Sequence, residues 1–298
     1  DKNQEVVSTK GKIKDWEKSY KTMKEPLDKE LPLAVLINQS SASASEIVSG
    51  TIQDLDRGVV LGKKSFGKGL VQQTRKLSYN SQLKVTVAKY YTPSGRCIQA
   101  LDYTNKNEDG SVGKVADSLK TAFKTRNGRT VYDGGGVDPD IVIDQEPFAK
   151  IVGSLVSKQL IFDFATEFVL QNDSIEAPGV FKISDALYED FVMFLSDKEY
   201  EYETNTEKKM AELIDNAEDE YADFKEDLEL LQKKLLSYKE DDIHKYQSQV
   251  SELMARYYYQ EGRVIASLAD DTVLKEAISV LHDSNRYEAI LSGNLDDK

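Results

Sequence analysis

The sequence predicts an α/β core followed by an α-helical region that contains a long helical hairpin. Three observations carry that expectation. Short apolar runs broken by Gly and Pro fill the first half. The character changes near residue 148. Beyond it, apolar residues recur at helical spacing with charges between them. The boundary divides the chain into residues 1–148 and 149–298, a reasonable pair of domains for 298 residues.

The first half reads as strand, serine-rich turn, helix, strand. "PLAVLIN" at 32–38 is a compact apolar run, as a buried strand requires, and "GVVLG" at 58–62 is another. Between them, residues 43–55 place Ile47, Val48, Ile52 and Leu55 at a helical period. "LVQQTRKL" and "QLKVTVAKYY" flank the turn-like "SYNS". The second alternates Leu83, Val85 and Val87 with Lys84, Thr86 and Ala88, which predicts a half-buried strand. "NKNEDGSVGK" is a polar loop, and "DGGGVDPDIVID" is a glycine turn feeding a short strand.

In the second half, from Ala217 on, Tyr221, Phe224, Leu228, Leu231 and Leu235 form a heptad stripe. A second stripe runs through Ile243, Tyr246, Val250, Leu253 and Tyr257 and continues less regularly to Leu281. Asp241 or Asp242 is placed to cap it. The two stripes predict the hairpin, with at least one of Tyr257, Tyr258 and Tyr259 in its seam. The intervening charges are solvated faces.

Composition narrows the function. Thirty-nine Lys and Arg against 52 Asp and Glu give a formal net charge of −13, which disfavours a nucleic-acid partner. The single cysteine, Cys97, has no internal disulfide partner, and no Cys/His cluster has zinc-ligand spacing. Neither a metal nor another cofactor is expected. No run of about 18 apolar residues is present, and the first residues have no apolar stretch of the signal-peptide kind.

The stretch "NQSSASASEIVSG" at 38–50 holds five serines, and a serine nucleophile needs a base. His244 and His282 both lie in the helical half. The other candidate is Lys68 in "KSFGKGLVQQ", set between Gly67 and Gly69, where backbone approaches closely. A lysine acts as a base only when neutral, so a dry, packed site is expected. Gln72 lies four residues on, on the same strand face as Lys68, and could orient it. "SASE" at 43–46 also fits a capping box, with Ser43 as N-cap and Glu46 at N3. Cap and nucleophile are compatible, because a helix N-terminus offers free N–H groups for an oxyanion, Ala44 N–H first. "GKKSFGKG" imitates a phosphate-binding loop. It lacks the final Ser or Thr and precedes a strand pattern.

Residues 32–73, "PLAVLINQSSASASEIVSGTIQDLDRGVVLGKKSFGKGLVQQ", closely resemble the C-terminal processing peptidases, or tail-specific proteases. "LKVTVAKYYTPSGRCIQ" and "GGGVDPDI" resemble the same family's later core segments, in order. The resemblance covers most of residues 30–145 and extends more loosely to the helical half. It implies a serine endopeptidase that cleaves proteins near their C-termini through a Ser/Lys dyad. Ser43 would be the nucleophile, Lys68 the base, Gln72 the assisting residue and Ala44 an oxyanion donor. It also implies a crotonase-like/ClpP-like core, here incomplete at its N-terminal side. An upstream PDZ domain and the first part of the core are expected outside this chain. Protein or peptide substrates engaged by their C-termini, a bacterial cell-envelope or periplasmic location, and a homo-oligomer through the helical region complete the implication. The alternatives are a non-catalytic homologue acting as a scaffold and a nucleotide-binding protein. One departure is Ser40, where the family commonly has glycine.

Overall fold

The computed structural model describes residues 1–298 apart from 107–108, 145–148, 173–180, 182, 217–221, 240, 258–264, 266–267, 269–270 and 295–298. Ala217, Tyr221, Tyr258 and Tyr259 of the expected stripes lie outside the described residues. The chain divides into two compact units. The first is Asp1–Gln145 together with Thr272–Lys298, and the second is Glu146–Asp271.

In the first unit, β1 (Glu5–Lys10), β2 (Lys18–Lys21), β5 (Leu70–Lys76) and β6 (Gln82–Tyr91) form an antiparallel sheet in the order β2-β1-β6-β5. The strands β3 (Ala34–Ile37), β4 (Val59–Gly62) and β11 (Ile141–Val142) form a parallel sheet in the order β11-β4-β3. Helix α1 (Ala44–Asp54) links β3 to β4, as parallel neighbours need a crossover. Two small ribbons complete the unit: β7 (Leu101–Lys106) with β8 (Val112–Lys114), and β9 (Ala122–Lys124) with β10 (Thr130–Tyr132).

β4 sits between two apolar layers, and this explains its unbroken apolar run. Val59 and Leu61 point to one face, and Val60 to the other, by the two-residue period of a strand. Val60 packs with Ile37, Ile98 and Val137. Val59 and Leu61 pack with Val273, Ala277, Val280 and Ile290. These last residues come from α9 (Thr272–His282) and α10 (Ser284–Ser292). The Tyr287 hydroxyl accepts from Leu33 N–H at 3.0 Å, which fixes α10 against the start of β3. The end of the chain therefore belongs to the first unit, not to the helical region where the sequence placed it. The reason is burial: β4 has two apolar faces, and the last helices supply the cover for one.

Strand β6 departs from the expected half-buried alternation. Leu83 and Val85 are exposed, while Val87 and Ala88 are buried. Its first half pairs only with β5, as a ribbon running beyond the four-stranded sheet. Tyr79 and Asn80 in its turn both take positive φ, the combination that tight hairpin turns need.

The second unit is helical: α2 (Lys150–Ser157), α3 (Leu160–Gln171), α4 (Asp185–Phe194), α5 (Asn205–Asp215), α6 (Ala222–Lys239), α7 (Asp242–Lys245) and α8 (Gln247–Tyr257). Its core gathers Val152, Leu155, Ile161, Tyr188, Phe191 and Val250. Phe164 meets Phe191 edge-on at 5.2 Å, and the buried Tyr188 hydroxyl donates to the Ile243 carbonyl at 2.6 Å. The expected seam between the two stripes is not the main packing. Helix α8 lies against α3, and α6 lies against α5. The second stripe buries Ile243 and Val250, whereas of the described residues of the first only Leu228 is buried and Phe224 and Leu231 are exposed. The α3 face, apolar along Leu160, Ile161 and Phe164, is the better partner for α8.

If the last helices complete the first unit, Ile290→Ala costs about 2–5 kcal/mol of its stability. Hydrogen exchange then speeds up at the β4 amides and leaves the α3 amides unchanged. Equal acceleration in both, or in neither, would contradict this packing.

Candidate active site

The sequence around residue 43 builds a helix N-terminus whose cap does more than cap. Ser43 precedes α1 with φ 56° and ψ −112°, a strained conformation for a residue with a Cβ. Glu46, three residues on, accepts from Ser43 N–H at 2.9 Å, as the capping-box pattern expects. The same carboxylate is fully buried and reaches across to residues 65–68. One of its oxygens accepts from the Ser65 hydroxyl at 2.5 Å and from Gly67 N–H at 2.6 Å. The other accepts from Ser43 N–H and, at 2.8 Å, from Lys68 N–H. Glu46 thus clamps the backbone of Ser43 to that of Lys68.

The glycines on either side of Lys68 are required by space. A Cβ at Gly67 would meet the Ala100 Cβ at 2.3 Å, and one at Gly69 would meet Gln99 N at 2.7 Å. The loop lies flat against residues 99–100. Ala100 N–H donates to the Gly67 carbonyl at 2.9 Å, and Gly69 N–H donates to Gln99 Oε1 at 2.8 Å. Phe66 N–H donates to the Ser41 carbonyl at 3.0 Å, a second tie between this loop and the serine stretch.

Ser43 is half-buried, and Ala44 opens α1. Lys68 has an exposed side chain, so the dry setting expected for it is not present in this chain. Among the described residues no hydrogen bond joins the Ser43 hydroxyl to the Lys68 ammonium. Gln72 is exposed on β5, with its amide nitrogen 3.5 Å from the Thr86 hydroxyl. His244 lies in the second unit, with Nδ1 3.7 Å from a Glu189 carboxylate oxygen, and His282 is exposed at the end of α9. Residues 62–69, the phosphate-loop imitation, run into strand β5 rather than a helix. Burial pushes the Cys97 thiol up from its ordinary range, which keeps it protonated. Among the described residues no group of three or more His, Cys, Asp or Glu is gathered as metal ligands are.

Two features were not assigned a role from the sequence. Glu46 reads there as a cap alone, since its partners at 65–68 are about twenty residues away. The other is a buried ionic cluster at the far end of α1. Arg96 and Asp54 pair at 2.9 Å with both side chains enclosed, and Arg96 also donates to Gln53 Oε1 at 2.7 Å. Burial lowers the Arg96 pKa from its ordinary value, and Asp54 opposes that most strongly. Gln53 in turn donates to Asp140, which pairs with Arg129, and Arg129 also pairs with Asp56.

The sequence has known counterparts. Residues 1–106 match Peptidase family S41, and residues 151–281 match "Probable PDZ-protease, C-terminal helical domain". A carboxy-terminal-processing protease of Bartonella bacilliformis is 46% identical over 100 residues, which are 34% of this chain and 23% of that protein. A carboxyl-terminal-processing protease of Picosynechococcus is 49% identical over 83 residues, 28% of this chain and 20% of its own. Among solved structures, the photosystem II D1 C-terminal processing protease aligns with a TM-score of 0.33 at 29% identity, over 47% of this chain and 27% of that one. Residues 1–106 of the first unit thus resemble the S41 peptidases. The chain is similar to C-terminal processing peptidases, and these matches span less than a quarter of the curated relatives' length.

The Glu46 clamp is open to test. Glu46→Gln turns one acceptor into a donor facing N–H or O–H groups, and one or two of the four hydrogen bonds are lost in a closed site. We expect a loss of about 3 kcal/mol in stability, with faster exchange at the Gly67 and Lys68 amides. Unchanged exchange there would show that the loop is held by something else.

Proposed function

We propose that the chain carries the catalytic dyad of a serine endopeptidase, which cleaves polypeptides near their C-termini. The single observation behind this reading is the Glu46 carboxylate, which binds the backbone of both Ser43 and Lys68. It places a strained serine at a helix start beside a lysine-bearing loop. The match of residues 1–106 to Peptidase family S41 points to the same chemistry.

In this mechanism the Ser43 hydroxyl oxygen bonds to the carbonyl carbon of the scissile peptide, and its proton passes to the neutral Lys68 amine. The carbonyl oxygen becomes an oxyanion facing the Ala44 N–H at the start of α1, where the helix dipole favours negative charge. The C–N bond then breaks, and the Lys68 proton leaves with the new amine. Water, deprotonated by the same lysine, hydrolyses the acyl-enzyme and returns the proton to Ser43. Gln72 orients the amine after turning from Thr86. Lys68 is exposed, so bound substrate or a further protein segment must cover it during the reaction.

The rest of the reading follows the family. The fold is the crotonase-like/ClpP-like type, and residues 149–271 with α9 and α10 are accessory to the chemistry. A PDZ domain delivers substrate C-termini, and the protease works in the bacterial cell envelope. Among the described residues no helix is long and apolar enough to cross a membrane. A homo-oligomer through the helical region would use the exposed side of α6, where Phe224, Leu231 and Tyr238 lie.

The test is peptide hydrolysis by the complete protease. Ser43→Ala and Lys68→Ala each abolish turnover, and Lys68→Arg does too, because a guanidinium stays protonated. Gln72→Ala slows it less, and the His244→Ala/His282→Ala pair keeps its rate. A fluorophosphonate that labels the wild type and spares Ser43→Ala separates the peptidase from a scaffold. Near-normal turnover in either alanine variant of the dyad would overturn the assignment.

A further inference from the structure

The chain is acidic overall, yet a cavity of about 830 Å³ beside the Lys68 loop is lined by three lysines, Lys64, Lys114 and Lys120. The loop itself forms one wall through Ser65 and Phe66. Ala100, Leu101 and Val115 add apolar surface. None of the three lysines has a part in the dyad chemistry.

Two of the lysines converge because of a glycine. A Cβ at Gly135 would lie 2.9 Å from Lys64 Nζ and 3.3 Å from Lys120 Nζ, so the bare backbone makes room for both ammonium groups. Each of these two has a carboxylate partner, and Asp117 itself lines the cavity. Asp138 pairs with Lys64 at 2.9 Å and is half exposed, and Asp117 pairs with Lys120 and is almost wholly exposed. Lys114 has no ion-pair partner among the described residues. The cavity therefore holds three cations against two carboxylates. Its apolar walls sharpen the attraction for one more negative charge.

We propose that this cavity is a substrate subsite that takes an acidic side chain, Asp or Glu, of the polypeptide. The methylenes of that side chain lie on Phe66 and Leu101, and its carboxylate reaches the lysines. Phe66 is also tied to Ser41, so a chain passing Ser43 has the cavity within reach. The proposal rests on the peptidase reading above and adds a preference to it.

The test uses the full-length protease containing this chain and a peptide series in which one Glu is moved along the sequence. Each member is paired with its Gln counterpart. At one position the Glu peptide has a kcat/KM about tenfold higher. In Lys64→Gln/Lys120→Gln that ratio falls toward one. Lys114→Gln breaks no ion pair, so a partial fall there keeps the test readable if the double variant does not fold. Each peptide is also run with an amidated C-terminus. A preference that follows amidation and not Glu→Gln would assign the cavity to a terminal carboxylate and overturn the side-chain proposal. Ser43-dependent hydrolysis with no Glu preference at any position, or with one that survives the lysine variants, would overturn it while leaving the peptidase intact. Absence of any Ser43-dependent hydrolysis would instead sink the peptidase reading on which it stands.

Discussion

One buried carboxylate organises the candidate site. Glu46 has no exposed surface, and a lone carboxylate in that position would be strongly unfavourable. It is tolerated because four donors surround it, one from the serine turn and three from residues 65–68. The interaction works in both directions. The N–H groups gain an acceptor, and the buried carboxylate gains donors. A shift of α1 against the loop would break several bonds at once, which makes the relative position of Ser43 and Lys68 a stiff coordinate.

The other end of the same helix is held by charges of both signs. Gln53 and Asp54 receive Arg96, and Gln53 passes the network on to Asp140 and Arg129. Such a cluster contributes little net stability compared with an apolar substitute, but removing one partner leaves an uncompensated charge in the core. Its use is positional. It ties α1 to the segment that follows the glycine turn, where Asp138 and Asp140 lie. The glycine turn is in turn one wall of the lysine cavity. Helix α1 thus sits between two polar anchors that bracket the chemistry.

Much of this was legible in the sequence where the signal is local. Strands β3 and β4 follow from their apolar runs, and α1 from its helical period and the Ser43–Glu46 pattern. The spacing of Lys68 between two glycines announced a close backbone approach, and residues 99–100 are what it approaches. What the sequence concealed is non-local. Glu46 looks like a cap because its other partners are far along the chain. Val59 and Leu61 do not reveal that their cover comes from α9 and α10. The stripe through Phe224, Leu228 and Leu231 has the period of a seam, but period alone does not say which helix answers it, and α3 offered α8 a more apolar face. The exposure of Lys68 was equally hidden, since burial of one side chain depends on everything folded around it.

The return of the last helices to the first unit has a consequence for how the protein is made. Residues 146–271 are an insertion whose two ends are anchored on the same unit. During synthesis, β4 leaves the ribosome long before α10 exists. Val59 and Leu61 then wait without their partners, on the order of ten seconds or more at ordinary synthesis rates. The helical unit emerges in that interval and closes on its own core of Tyr188, Phe191 and Val250. The unit that carries Ser43 starts before the helical unit and closes after it, so the clamp around Glu46 stands on a sheet that is incomplete until α9 and α10 have emerged.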